Sequence, residues 1–145
     1  MSTPSVIMPD MQSSETLLRD WLAAGDRGDV DAFDRYLHPD VIVHAPLGLS
    51  TQGVEAEKAV WADAKAAMPD IRHDVQETIA LESRAAARVV VTGTLVGEFA
   101  GISAAGKSFV IDQVVFAHVE GGLIVEAWEI ADTGSLLRQL GVVTG

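Results

Sequence analysis

The 145-residue chain contains no cysteine, which excludes disulfide bonds, thiolate catalysis and zinc sites built on cysteine. It is also poor in basic residues: ten Lys and Arg stand against 21 Asp and Glu, for a net charge of −11. A chain this acidic lacks the basic surface with which proteins bind nucleic acid, and anionic lipid would repel it. No apolar run approaches the ~20 residues that a membrane-spanning helix requires. We therefore expect a cytoplasmic protein with no nucleic-acid and no membrane partner.

Histidine is scarce as well, with four residues, and none of them has the spacing of metal ligands. We therefore predict no metal and no other cofactor. His38 and His73 are interpreted as structural or solvated. Asp112 and His118 are separated by ~20 Å along one extended strand, so we interpret them as surface or interface groups rather than as an acid–base pair.

What the chain does contain is typical of one globular domain, with 48% hydrophobic and 21% charged residues. Residues 1–12 lack the basic and apolar regions of a signal peptide, so we predict a flexible leader. Residues 13–145 are predicted to form a single domain, since no internal repeat or linker interrupts them.

Three stretches have the spacing of amphipathic helices. The first, ETLLRDWLAAG, has Ser14 as its predicted N-cap and Gly25 as its predicted end. A shorter helix follows Asp29 and ends before Pro39, since proline disfavours helix in the residue that precedes it. The third covers residues 54–68 and is rich in alanine. Its residues predicted to face inward are Val60, Trp61, Ala64 and Met68.

Strands dominate the rest of the chain. A short strand is predicted at residues 41–44, followed by a loop over residues 45–53. From Ile71 the apolar spacing changes to the alternation of half-buried strands, through IRHDVQETIALES and AAARVVVTGTLVGEF, and residues 100–107 form a predicted loop. Helices followed by strands with short turns predict an α+β domain with an antiparallel sheet.

The last two predicted strands form a hairpin around Gly121-Gly122, and one of them carries Glu129 within an apolar run. Burying a carboxylate is costly, so this residue requires a function or a partner. A two-residue turn would place Val114 opposite Glu129, whereas a three-residue turn with a bulge would place Gln113 there. We favour the three-residue turn because the two faces then sort by size.

In that arrangement one face has mainly small side chains and leaves room for a ligand: Gln113, Val115, Ala117, Val125, Ala127 and Glu129. The other face carries large side chains suited to packing against a second sheet or subunit: Asp112, Val114, Phe116, His118, Trp128 and Ile130.

Taken in order, these motifs resemble the SnoaL-like polyketide cyclases, which have the nuclear-transport-factor-2-like fold. The resemblance covers nearly the whole chain, through DAFDRYLHPDVIVHAP, AMPDIRHDV, VTGTLVGEFAGISAAGKSF and GLIVEAWEIADTGSLLRQLG. It implies an α+β cone, in which N-terminal helices close an apolar pocket against a curved antiparallel β-sheet. It also implies a homodimer through the outer sheet face, which here would present Phe116, Trp128 and Ile130.

The family's cyclases close a ring of an aromatic polyketide ester by intramolecular aldol condensation, without a metal or cofactor. An ungapped match back from LRQLG aligns Glu129 with the family's acid/base aspartate and Gln113 with a pocket glutamine. The chain departs from the family where histidines are common, at Leu95, Val115 and Ala127. The resemblance therefore implies an acid/base carboxyl with fewer polar partners.

The predicted catalytic residues are Glu129, Gln113 and His44. Glu129 would be the general acid/base, with its pKa raised by apolar surroundings; the alternative is a strand-end glutamate paired with Arg88 or Arg138. Gln113 would hydrogen-bond this carboxyl or a substrate carbonyl. His44 would donate to a carbonyl or shuttle a proton; the alternative is a strand-end histidine bonded to backbone. The predicted substrate pocket consists of Trp61, Met68, Val115, Ala117, Ala127, Tyr36 and Phe99.

These residues predict a cofactor-independent enzyme that acts on a small apolar substrate with carbonyl groups. Epoxide hydrolysis in the same pocket would need a second carboxylate, such as Asp112, and an arginine. Ketosteroid isomerisation would need an oxyanion donor, for which Tyr36 is the candidate. A non-catalytic small-molecule-binding module also stays open, because this fold hosts many activities and some proteins with none.

Overall fold

A computed structural model describes residues 13–142, and the predicted leader over residues 1–12 lies outside the described residues. The helices are α1 (Ser14–Arg27), α2 (Val54–Ala67) and α3 (Thr133–Gln139), with a 3₁₀ helix at Val30–Arg35. The strands are β1 (Leu37–His44), β2 (Thr51–Gln52), β3 (Arg72–Ala80), β4 (Arg84–Thr94), β5 (Glu98–Phe99), β6 (Ile102–Ser103), β7 (Ser108–Glu120) and β8 (Leu123–Ala131). In this part of the chain, no helix is long and apolar enough to span a membrane.

Six strands form one sheet in the order β2–β1–β8–β7–β4–β3. Each neighbouring pair is antiparallel except β1 and β8, which are parallel. The helices α1 and α2 pack on the sheet, and β5 and β6 form a separate ribbon that contacts α2. The predicted α+β class is confirmed, whereas the parallel pair and the strands within the two predicted loops were not expected.

The helix α1 begins and ends at other residues than the sequence predicts. Its N-cap is Ser13, while Ser14 lies in the first turn. It continues through Gly25 and ends at Gly28, which adopts the left-handed conformation with φ of 76°. A Cβ at Gly25 would come within 2.1 Å of the Trp61 ring. Gly25 therefore permits α1 and α2 to approach, and its role is not to end the helix.

The second predicted helix is only the 3₁₀ segment, and β1 begins at Leu37, before the predicted strand. Pro39 lies inside β1, whereas its sequence context predicts that it follows the end of a helix. The pairing of β1 with β8 is irregular between Leu37 and Ile42, so the missing N–H of Pro39 falls where the regular ladder is interrupted.

The β7–β8 hairpin has a register that differs from both alternatives considered above. Glu120 pairs with Leu123 across the two-residue Gly121-Gly122 turn, so the predicted three-residue turn is wrong. The register then shifts by one residue between His118 and Val119, which places Val115 opposite Glu129. Because side chains alternate, this bulge restores the predicted sorting of the two faces.

The bulge also changes one residue of the inner face. Val125 was predicted to point inward, but it is the unpaired residue of the bulge and is only partly buried. Ile124 is fully buried in its place. The domain core forms between the helices and this inner face, with Trp21, Phe33, Leu37, Val89, Val115, Ala117 and Ala127 almost completely buried.

Candidate active site

A cavity of about 120 Å³ lies between α2, α3 and the inner face of the sheet. Its wall is mostly apolar and includes Trp61, Met68, Phe99, Phe109 and Ile111. Its polar members are Glu57, His73, Gln113, Glu129 and Thr133. A partly open, mostly apolar cavity with a few polar side chains is the usual form of a small-molecule site, although this one is smaller than the ~300 Å³ that drug-sized ligands need.

Five of the predicted site residues line this cavity: Glu129, Gln113, Trp61, Met68 and Phe99. Four others, Val115, Ala117, Ala127 and Tyr36, do not line it, which corrects the predicted pocket. Val115, Ala117 and Ala127 have no exposed surface because they lie nearer the hairpin turn, where the inner face is fully packed. Tyr36 is 7% exposed and belongs to the same core.

His44 is not among the residues that line this cavity, although it lines a neighbouring open pocket together with Ala45, Pro46 and Glu129. Its Nε2 is 2.7 Å from Oε2 of Glu126, and its ring stacks on Trp128 at 5.3 Å. The β1 residue His44 pairs with Trp128 of β8, so both rings stand on the outer face of the sheet. His44 therefore stands on the outer face and lines the open neighbouring pocket, not the cavity of about 120 Å³.

Glu129 has the environment expected of a buried acid. The residue is partly buried and lines the cavity, and burial, with the nearby charge of Glu57, raises the pKa of its carboxyl to about 8. Within residues 13–142 it forms no ion pair, and Arg88, one of its alternative partners, binds Glu77 at 2.9 Å. The carboxyl therefore holds its proton at neutral pH, because its charged form lacks stabilisation.

Glu57 is a second carboxyl in the cavity wall, and it was not among the predicted site residues. It is 2% exposed. The hydroxyl of Thr51 donates to its Oε1 at 2.6 Å, and Nε1 of Trp61 donates to its Oε2 at 2.7 Å. Burial raises the pKa of Glu57, while these two hydrogen bonds act in the opposite direction because they stabilise the charged form.

His73 was interpreted as structural or solvated, but it lines the cavity and is held by a carboxylate. Its Nδ1 is 2.7 Å from Oδ1 of Asp26, and its backbone N–H donates to Oδ2 at 2.6 Å. The His73 side chain is 7% exposed and its ring contacts that of Trp61 at 5.0 Å. With Nδ1 turned to Asp26, Nε2 is the ring nitrogen left for a hydrogen bond to a ligand.

Gln113 lies beside Glu129 on the inner face. It pairs with Ala131, two residues beyond Glu129 on β8, so the two side chains are diagonal neighbours at roughly 7–8 Å between backbones. Its Oε1 is buried and has no hydrogen-bond partner among the described residues. An unsatisfied buried acceptor costs about 1–3 kcal/mol, so a proton donor from a ligand or an acid would be favourable here.

The mouth of the cavity contains strained backbone. Leu47, which lines the cavity, has φ of 61°, and Ala100, next to the lining residue Phe99, has φ of 52°. Left-handed conformations cost non-glycine residues on the order of 1–3 kcal/mol and concentrate at ligand-binding loops. The two strained residues belong to separate loops on the cavity side of the domain.

The missed residues had weak signals in the sequence. Glu57 lies four residues before Trp61 and therefore on the same face of α2. His73 lies two residues before Val75, on the partly buried face of β3. Asp26 gave no signal, because its contact with His73 joins positions 47 residues apart. In residues 13–142 no group of three or more His, Asp or Glu side chains is arranged to hold a metal ion.

A mostly antiparallel sheet that forms an apolar cavity with its helices is typical of small α+β proteins that bind apolar ligands. The chain belongs to the SnoaL-like polyketide cyclase family, whose model matches residues 15–140. The likeness to solved structures is consistent with this membership. No curated protein matches the chain significantly.

TsrD from Streptomyces laurentii is 28% identical, with a TM-score of 0.79, over 89% of this chain and 95% of TsrD. IdmH from Streptomyces antibioticus, described as a candidate polyketide cyclase, is 28% identical with a TM-score of 0.76, over 88% of this chain and 98% of IdmH. A Catenulispora acidiphila protein with a ketosteroid isomerase-like fold is 16% identical with a TM-score of 0.76, over 91% of this chain and 96% of its own. That last likeness concerns the fold alone, which is the predicted nuclear-transport-factor-2-like α+β fold with its curved, mostly antiparallel sheet.

Proposed function

We propose that the protein is a cofactor-independent enzyme that transfers protons on a small, apolar, carbonyl-bearing substrate, in a polyketide cyclase-type aldol ring closure or a related acid/base reaction. The observation that carries the proposal is the carboxyl of Glu129 in an apolar cavity. Burial raises its pKa to about 8, so most of it is protonated at neutral pH. An acid whose pKa lies near the working pH is suited to exchange protons with a reacting group.

In the proposed ring closure, the ionised form of Glu129 takes a proton from a carbon between two carbonyl groups of the substrate, and the resulting enolate carbon attacks a third carbonyl carbon. A new carbon–carbon bond forms, the carbonyl π bond breaks, and its oxygen takes the proton back from Glu129. This second transfer returns Glu129 to its ionised form for the next turnover. The apolar wall orients the substrate and excludes water, and Gln113 hydrogen-bonds a carbonyl or the acid.

The cavity bears on the two related reactions left open above. A second carboxyl is present for epoxide hydrolysis, but it is Glu57 and not Asp112, which lies on the outer face. No arginine is among the cavity residues within the described chain, so the arginine required by that chemistry is missing. Tyr36 is packed in the core away from Glu129's cavity, so it is not placed as an oxyanion donor for isomerisation.

The test of the proposal is Glu129→Gln, assayed with apolar aromatic polyketone esters for cyclised product. We expect the variant to bind such compounds and to lose roughly 100- to 10,000-fold in turnover, as is usual when a general acid is removed. Glu126→Gln is the matched control, because Glu126 lies on the same strand but pairs with His44 outside the cavity. We expect it to keep full turnover.

Two outcomes would contradict catalysis by Glu129. Full turnover in Glu129→Gln would show that another group moves the proton. Ligands that bind the wild-type protein but emerge unchanged, with Glu129→Gln altering only their affinity, would instead support a non-catalytic binding module.

We further propose that the outer sheet face joins two copies of the chain in a homodimer. This face exposes large apolar side chains, namely Val110, Val114, Phe116 and Ile130, beside the stacked pair His44–Trp128. Contiguous exposed apolar surface of this kind usually marks an interaction site. Sedimentation should show a dimer that Ile130→Lys converts to a monomer, whereas Ile79→Lys, on β3 at the sheet edge, should not. A monomeric wild-type protein would refute the proposal.

A further inference from the structure

The cavity contains two carboxyl groups on different elements, Glu57 of α2 and Glu129 of β8. The negative charge of Glu57 acts on Glu129 in the direction of keeping it protonated. Two like charges in a shared, poorly solvated space disfavour each other, so the pair retains one proton between its two ionisation steps. The location of that proton determines which residue can act as an acid.

The surroundings of the two carboxyls are unequal. Each oxygen of Glu57 accepts one hydrogen bond, from the hydroxyl of Thr51 and the indole N–H of Trp61. A carboxylate can accept at both oxygens, and the Trp61 indole N–H can only donate, so both bonds are kept when Glu57 is charged. Glu129 receives no comparable hydrogen bond from the described residues. The hydrogen bonds therefore stabilise a charge on Glu57, and the shared proton is left to Glu129.

Other charged groups do not cancel this effect. His73, with Asp26 behind it, is the third titratable side chain in the wall, and no lysine or arginine is among the described lining residues. Charged side chains of the neighbouring elements lie outside the wall: Lys58 of α2, Asp112 of β7, Glu126 of β8, and Asp132 and Arg138 around α3. Lys58 is occupied by Asp34 and Glu55, each at 2.9 Å.

We propose that Glu57 is a positioning residue, a fixed anion that keeps the proton on Glu129 across the cavity. Hydrogen bonds from Thr51 and Trp61 hold this anion in place. Glu57 affects the reaction only by raising the pKa of Glu129. The inference deepens the proposed function, since it identifies what keeps the proposed acid loaded. It can be tested without a substrate, so its failure and the failure of the proposed reaction are distinguishable.

The experiment is a ¹³C NMR titration of protein labelled at the glutamate carboxyl carbons, with the signals of Glu57 and Glu129 assigned from Glu57→Gln and Glu129→Gln. In the wild-type protein we expect Glu129 to titrate at a pKa of about 8 and Glu57 to titrate in the lower step. In Glu57→Gln the midpoint of Glu129 should fall clearly, yet stay above 4.5, because burial persists. The glutamine can still accept from Trp61 and donate to Thr51, so the cavity should keep its shape.

Two further variants separate charge from packing. Glu57→Asp retains the anion, and we expect the Glu129 midpoint to stay closer to wild type than in Glu57→Gln. Thr51→Val weakens the hold on the anion, and Glu57 should then take part in the upper titration step. Glu55→Gln, on the exposed side of α2, is the control and should leave the Glu129 midpoint unchanged.

Three results would overturn the inference. The Glu129 midpoint could be the same in Glu57→Gln as in the wild-type protein. It could fall equally in Glu57→Gln and Glu57→Asp, in which case packing and not charge is responsible. Glu57 could itself be the group that titrates near pH 8, which would place the proton on the other carboxyl.

Discussion

The two faces of the main sheet each carry a histidine–carboxylate pair with the same 2.7 Å separation, in opposite environments. On the cavity side, His73 and Asp26 have 7% and 17% of their side chains exposed. On the outer side, His44 and Glu126 have 47% and 34% exposed. The inner pair lies beside an apolar cavity with two further carboxyls, and the outer pair lies on an aromatic surface open to solvent. The two pairs have the same separation, but we expect the outer pair to contribute less to stability, because solvent screens its charges.

The largest expected effect comes from adjacent residues of β7 that point to opposite faces. Val115 is fully buried, and Val114 is 43% exposed. In the Ile130→Lys monomer, we expect Val115→Asp to lower the free energy of unfolding by about 4 kcal/mol or more, because it buries an unpaired charge, and Val114→Asp by less than about 1 kcal/mol. Urea unfolding of both variants measures the difference. Equal losses would mean that the two faces are not distinguished by burial as described.

The next effect concerns pH. Glu129 has a pKa raised from 4.5 to about 8 in the folded protein. Between these values the folded state holds a proton that the unfolded state has lost. Its contribution to stability is full below pH 4.5 and declines as pH rises through about 8, by at most about 1.4 kcal/mol per pH unit. Denaturation from pH 5 to 9 should thus show stability falling faster with pH in the wild type than in Glu129→Gln. Parallel curves would refute the raised pKa, and Glu126→Gln should follow the wild type.

The smallest expected effect is the difference in free energy of unfolding between variants of the two histidine–carboxylate pairs. Asp26→Asn disturbs a largely buried pair and a backbone hydrogen bond to His73, so we expect a loss of about 2 kcal/mol in the free energy of unfolding. Glu126→Gln alters an exposed pair and should cost less than about 1 kcal/mol. Thermal or urea unfolding tests the ranking. A larger loss in Glu126→Gln would reverse the comparison and indicate that the outer pair is buried, for instance in a dimer.

Much of the fold could be predicted from local patterns. Alternation along the last two strands correctly assigned Gln113 and Glu129 to one face and Phe116 and Trp128 to the other. The register could not be predicted, because it depends on the bulge at His118–Val119 and on the unpaired Val125. A turn sequence determines pairing only until the first irregularity, and the residues that produce such an irregularity have no distinctive pattern.

The sequence by itself determined the fold class and singled out Glu129, because alternation, helix spacing and the isolated carboxylate are local properties of the chain. Only the tertiary structure decided what surrounds that carboxyl. Glu57 reaches the cavity from a helix, and His73 reaches Asp26 across 47 positions. The same folding removes His44, Tyr36 and three hairpin residues from the wall. A raised pKa is the sum of burial and charge from segments distant in sequence, so it arises only when the chain has closed around the acid.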